Sequence, residues 1–157
     1  KKECLKRLLK ALKILSKFSL EYNVKLLIEN NVLNKSNFKK FGTNPLLMTD
    51  IPGTEEIIEN LDGKVNLLID VAHLKVSANT LNFSAVDYLN KFRNYTKAYH
   101  LSDNDGLSDS NDIIKKNSWF WPHINKDLDY YSLEVYNQNP EILISQIKMA
   151  KIFLGRE

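Results

Sequence analysis

Cysteine is nearly absent: Cys4 is the only one in 157 residues. That excludes a disulfide framework and a thiolate cage around a metal. As a small side chain on an amphipathic segment, Cys4 is expected to be buried. Long apolar runs are missing too. None reaches the roughly 20 residues of a membrane-spanning helix, and no secretory leader is visible, so no membrane partner and a cytoplasmic location are expected. No glycine-rich phosphate cradle is present, which leaves phosphate recognition open. No compact basic stripe with interleaved aromatics occurs. The net charge of +3 comes largely from lysines in Lys1–Lys17 and from Lys35, Lys39 and Lys40, which read as solvated faces, and this argues against a nucleic-acid partner. No linker or low-complexity segment interrupts the chain, so residues 1–157 are read as one domain.

What is present is an ordinary globular composition, 43% hydrophobic and 26% charged, in a chain long enough for one core. Residues 3–22 place Leu5, Leu8, Leu9, Leu12, Leu15 and Phe18 at helical spacing with lysines opposite, an amphipathic helix. Val24-Lys-Leu-Leu-Ile-Glu29 reads as a buried strand, and residues 30–44 as a long loop. Pro52-Gly-Thr-Glu-Glu56 opens a helix with Thr54 as its cap, closed by Asp62-Gly63. Val65-Asn-Leu-Leu-Ile-Asp70 is a second buried strand; residues 71–82 read as loop and 84–94 as helix. A third strand covers 98–101, a long loop holds Trp119, Phe120 and Trp121, a fourth strand covers 130–134, and a helix over 141–154 closes the chain. Alternating strands and helices, too widely spaced for hairpins, predict an α/β fold with a parallel sheet. Intervals of 41, 30 and 34 residues separate Glu29, Asp70, His100 and Glu134, one βα unit each. Four strands are too few to close an eight-stranded barrel, yet the units look like half of one. The chain, which opens on Lys1 without a methionine, is therefore expected to be the C-terminal half of a longer protein or to pair with another half or an oligomer partner.

Glu29, Asp70, His100 and Glu134 each close their strand. In parallel α/β folds, side chains at the C-terminal strand ends converge on one face, where ligands bind. Three carboxylates and an imidazole form a mixed oxygen and nitrogen shell for one divalent ion, with Mn, Mg, Co and Zn all admissible. His73, three residues beyond Asp70, faces the same mouth and either contacts substrate or orients a ligand. The run Lys97-Ala-Tyr-His-Leu-Ser-Asp-Asn-Asp-Gly106 delivers His100 and then Asp103 and Asp105 at a strand exit, which puts Asp103 among the candidate substrate contacts. Trp119 and Trp121 flank Phe120 and either roof a pocket, their faces suiting the apolar face of a sugar, or pack the loop down. His123 reads as a surface residue.

Ile28-Glu-Asn30, Leu68-Ile-Asp-Val-Ala-His73, Tyr99-His-Leu-Ser-Asp-Asn-Asp-Gly106 and Ser132-Leu-Glu134 resemble the xylose isomerase-like TIM-barrel superfamily. The likeness is to its sugar phosphate isomerase/epimerase branch, which is related to endonuclease IV, and it runs from the helix before the fifth strand to the helix after the eighth. It implies a (β/α)8 TIM barrel of which this chain covers about the last four βα units. It also implies one divalent metal ion on Glu29, Asp70, His100 and Glu134, with the two glutamates as acid and base and His73 as a substrate contact. The implied reaction moves a proton next to the carbonyl of a sugar or sugar phosphate through an enediolate. Members with additional metals carry an Asp-x-His pair after the seventh strand; here Asp109 is kept but Asn111 replaces the histidine, which argues against a trinuclear site. Two alternatives are an endonuclease IV-like phosphodiesterase on abasic DNA, disfavoured by the acidic 103–109 loop, and a non-catalytic half-barrel module. Dehydration or lysis of a sugar acid would use the same ligands.

Overall fold

Each strand in this chain is short because the polypeptide crosses a thin parallel sheet and then turns back through a helix. The computed structural model describes residues 1–137 and 139–156. Helix α1 (Lys2–Glu21) leads into β1 (Leu27–Glu29), followed by α2 (Lys35–Phe41), α3 (Ile51–Glu59), β2 (Asn66–Asp70), α4 (Val71–Leu81), α5 (Ala85–Phe92), β3 (Thr96–Leu101), β4 (Tyr130–Leu133) and α6 (Pro140–Leu154). The four strands lie in chain order, β1-β2-β3-β4, and every pairing is parallel. This is half of a (β/α)8 barrel in architecture.

Strand alternation sorts the side chains into two layers. Leu67 and Ile69 of β2 and Tyr99 and Leu101 of β3 point outward beneath the helices and are buried. There they join Ile57, Leu61, Leu74, Tyr88, Leu89 and Phe92 in one core. The opposite face is concave. Leu27, Leu68 and His100 lie on it partly exposed, and Tyr130 is largely open. At the start of the edge strands, Lys25 Nζ lies 3.1 Å from Asp129 Oδ2 and over the Tyr130 ring. The sheet therefore curls enough for its first and last strands to approach at their N-terminal ends.

Several local expectations give way. Residues 71–82 form α4, not a loop; Asp70 caps it by accepting the His73 N–H at 2.7 Å, and Asn82 ends it in the left-handed region. Residues 30–44 contain α2, capped by Asn34 and ended by Gly42 at φ +65°. The α3 cap is Asp50, which accepts the Gly53 N–H at 2.8 Å. Thr54 lies inside that helix, buried, with its hydroxyl 3.0 Å from that of Tyr88. Only Leu5, Leu8, Leu9 and Leu12 of α1 pack on the core. Leu15 and Phe18 are half-exposed and Cys4 is exposed, because a 20-residue helix, about 30 Å long, outruns the three-residue strand it flanks. β1 lies at the edge of the sheet, so Leu27 and Ile28 are only partly buried and not fully so.

The loop from Ser102 to Asp129 is well tied. Asp103 and Asp112 exchange backbone hydrogen bonds, the Trp121 ring stacks on Phe153 of α6 at 4.8 Å, and its indole N–H donates to the Lys115 carbonyl. Gly106, at φ +79°, sits against Asn79, whose amide donates to the Gly106 carbonyl; a Cβ there would collide with that amide.

Candidate metal centre

The strand register builds the site. Asp70 is level with His100, whereas Glu29 is level with Leu68, two residues lower, and His100 is level with Ser132, two residues below Glu134. This climb around the arc is the stagger of tilted barrel strands. The longer glutamates at the two ends reach back to the shorter aspartate and histidine in the middle. Glu134 lies one residue past β4, where its N–H still donates to the Leu101 carbonyl at 3.1 Å and extends the ladder.

One ligand atom from each of Glu29, Asp70, His100 and Glu134 lies within 4.8 Å of all the others. His100 Nδ1 is 2.9 Å from Glu134 Oε2, 3.5 Å from Glu29 Oε1 and 3.9 Å from Asp70 Oδ2. Donors about 2.1 Å from one ion stand roughly 3 Å apart at right angles and roughly 4.2 Å apart when opposed. The observed spacings fall in that span. Hydrogen bonds do not account for the convergence: Asp70 Oδ2, His100 Nδ1 and Glu134 Oε2 are all buried without a partner of good geometry. Unpartnered buried polar atoms are costly, and three aimed at one point fit a cation.

The electrostatics agree. Burial pushes the Asp70 carboxyl up to about 7, the neighbouring Glu134 adding to the rise while His73 opposes it. Asp70 is fully buried, so its charged form calls for a positive charge beside it. Polar contact with His100 holds Glu29 below the usual carboxylate range, and contact with Glu29 in turn lifts His100.

His73 stands beside this cluster. Its Nδ1–H donates to the Asn30 carbonyl at 3.1 Å and lies 3.4 Å from Glu29 Oε1, while Nε2 is 3.2 Å from Asp109 Oδ2. Acceptors on both nitrogens favour the doubly protonated ring. Burial opposes that charge, but Asp70, the Asn30 carbonyl, Asp109 and Glu29 together raise the His73 pKa.

Asp103 and Trp119 lie outside the cluster. The Asp103 carboxylate accepts from Lys75 Nζ at 2.7 Å, from the Asn104 N–H at 2.9 Å and from the Ser118 hydroxyl at 2.7 Å, which clasps the loop to α4. Burial works against its charge, but these donors outweigh it and hold the carboxyl below its ordinary value. Trp119 meets Phe120 edge-on at 6.1 Å and lines a surface hollow with Lys116, Trp121, Pro122 and Phe153. Asn111, buried at φ +50°, accepts the Ser102 hydroxyl at 3.0 Å.

Asn30 is the residue that strand-end reading passes over. It is buried; its side chain accepts the Asp70 N–H at 2.8 Å and donates to the Asp70 carbonyl at 3.1 Å, while its own carbonyl holds His73. One asparagine thus fixes the tip of β1 to the tip of β2, and the signal was a polar residue directly after a candidate ligand. Asp109, noted only as half of a missing pair, proves to be the partner of His73.

No family model matches the chain, and no curated protein matches it by sequence. Solved structures do. A D-tagatose 3-epimerase-like protein superposes with a TM-score of 0.72 at 17% identity, over 96% of this chain and 54% of its own. A probable 3-DHS dehydratase, AsbF, involved in petrobactin synthesis in Bacillus anthracis, gives 0.58 at 15%, over 92% and 54%. The TTHB071 protein of Thermus thermophilus, soaked with ZnCl2, gives 0.52 at 20%, over 96% and 56%. The chain shares the barrel fold of these three structures. It spans about half the length of each.

Proposed function

We propose that this chain carries the metal-binding half of a sugar-modifying barrel, an isomerase or epimerase that moves a proton next to the carbonyl of a small sugar or sugar phosphate. The observation that carries the reading is the convergence of Glu29, Asp70, His100 and Glu134, three of whose ligand atoms are buried and unpartnered. A D-tagatose 3-epimerase-like protein and a probable dehydratase among the structures of this fold support a sugar-modifying activity. The four residues would hold one divalent ion, Mn, Mg, Co or Zn by donor type. Such an ion supplies Lewis-acid polarisation of the substrate carbonyl.

The remaining roles belong to side chains. Glu29 and Glu134 come from the two ends of the arc and so flank whatever occupies its middle. One carboxylate would remove the proton from the carbon beside the carbonyl, and the other would return a proton to the opposite face of the enediolate. Glu29, held below the usual carboxylate range, is ionised at neutral pH as a base must be. His73, anchored by Asn30 through Nδ1, presents Nε2 on the Asp109 side to a substrate hydroxyl.

The test is deuterium exchange from D2O into a panel of ketoses and ketose phosphates with Mn, Mg, Co or Zn present. Exchange at the carbon beside the carbonyl, lost in Glu29→Gln and Glu134→Gln, is the expected result. Loss of water from a sugar acid without such exchange would assign a dehydratase instead. Failure of a metal-loaded sample to exchange any of the panel would overturn the proposal.

A further inference from the structure

The loop after β3 closes on itself and lies along one side of α4. Its base is the backbone pair between Asp103 and Asp112, with bonds of 3.0 and 2.7 Å. Its first turn is set by Asp105, whose carboxylate accepts the Leu107 and Ser108 N–H groups. Ala72, Lys75 and Asn79 stand at i, i+3 and i+7, one stripe of the helix, and each holds this loop. Lys75 Nζ donates to the Asp103 carboxylate at 2.7 Å and to the Asn104 carbonyl. Asn104 Nδ2 donates to the Ala72 carbonyl at 3.0 Å, and Asn104 Oδ1 accepts the Gly106 N–H at 2.8 Å. Asn79 donates to the Gly106 carbonyl at 3.1 Å. The Lys75 and Asp103 side chains are only 26% and 14% exposed, so the pair is sheltered from the solvent that weakens surface ion pairs.

Asp109 is what this clasp delivers. Its Oδ2 lies 3.2 Å from His73 Nε2, and among the described residues its carboxylate has no other polar partner. Its place is therefore set by the loop that carries it. His73 sits on α4 itself and is tied to the Asn30 carbonyl through Nδ1. Ring and carboxylate come from two elements, and the stripe on α4 keeps them in register. A hydroxyl suits such a pair, because it can accept from an imidazole N–H and donate to a carboxylate at once. A carbonyl can only accept, and an anionic oxygen would meet the charge of Asp109.

We propose that Lys75 is a positioning residue for substrate recognition. By clasping the 103–109 loop to α4 it holds Asp109 opposite His73 Nε2, and the two groups form a two-sided site for one substrate hydroxyl. The hydroxyl rests on the sugar-modifying function proposed above; the clasp does not.

Lys75→Met and Asp109→Asn test this, singly and together, in the deuterium-exchange assay and in protein labelled with 15N-histidine. Each single variant should raise KM for the exchanging sugar at least about tenfold and keep kcat within about twofold, the mark of lost binding. The double variant should be no more than about threefold worse than either, since independent losses would multiply to about a hundredfold. Without any substrate, both single variants should move the His73 Nε2 ring signal, leave that of His100 in place and still bind one metal ion. Gly106→Ala, which drives the loop off Asn79 without touching Lys75, should reproduce these effects. Asp50→Ala, which weakens the cap of α3, should not. An unmoved His73 signal in Lys75→Met, or losses that multiply in the double variant, would overturn the proposal. A moved signal in a chain that exchanges none of the sugars would support the clasp and overturn the hydroxyl site together with the proposed chemistry.

Discussion

Asp70 ends a strand, starts a helix and points into the candidate metal centre with one carboxylate. Oδ1 caps α4 by accepting the His73 N–H; Oδ2 is the orphaned atom. These two duties can be separated. Asparagine is as good a cap as aspartate, so Asp70→Asn should keep α4 and the fold while divalent-metal affinity falls at least about a hundredfold, beyond the tenfold to hundredfold loss typical of outer partners. Asn30→Ala, which releases the tips of β1 and β2 without removing a ligand, should show that smaller loss. Titration calorimetry on both variants ranks them, and equal affinities would contradict a ligand role for Asp70 and a supporting one for Asn30. The pH dependence follows from the same carboxyl. Its folded pKa of about 7 lies above the ordinary value of 3.8, so its own contribution to the metal-free fold is fully present below 3.8 and is lost as pH rises through about 7. A divalent ion must displace that proton, and the raised His100 acts in the same direction. Metal affinity should therefore fall at least about tenfold per pH unit below 7. An affinity unchanged between pH 5.5 and 7.5 would count against Asp70 as a ligand.

At the scale of elements, what was readable in the sequence follows from how each signal arises. The convergence of Glu29, Asp70, His100 and Glu134 was readable because each closes a short apolar run, and a strand end is marked by the first charged or imidazole residue after it. Helix α4 was not. Val71, Ala72, Leu74, Val76, Ser77 and Ala78 are all buried, so it carries no polar face to set a 3.6-residue period, and its cap is also a candidate ligand. The cap of α3 was misplaced because Pro52 and Thr54 both look like helix starts, whereas Asp50, ahead of the proline, makes the bond. Asp50→Ala should cost about 1 kcal/mol in urea denaturation. Asp103 was read as a substrate contact, since an acid at a strand exit looks the same whether it faces a ligand or a lysine. Held by Lys75 and Ser118, its carboxylate contributes stability that is present above its ordinary pKa and lost as pH falls. Asp103→Ala should cost about 2 to 3 kcal/mol and leave metal stoichiometry unchanged; loss of the ion with stability intact would return Asp103 to the site.

At the scale of the molecule, the centre joins everything the sheet contributes. Its candidate ligands come from β1, β2, β3 and the residue after β4, so one ion would tie the first strand to the last across an arc that no backbone pairing closes among the described residues. Metal at a hundred times its dissociation constant should then stabilise the chain by about 2.7 kcal/mol, read as a rise in melting temperature that Glu134→Gln abolishes. Sequence alone placed the chain as half a barrel because the intervals between strand ends fit one βα unit each. It did not show that β1 is an edge strand, only partly buried, since Leu26, Leu27 and Ile28 are apolar whether a neighbouring strand is present or not.

The most direct test of the account is metal content by equilibrium dialysis at pH 7.5, comparing the chain with Glu134→Gln and His100→Ala. One divalent ion per chain, lost or much weakened in both variants, is the predicted result. A folded chain that binds no ion specifically, or binds two or three, would contradict a single centre made by Glu29, Asp70, His100 and Glu134.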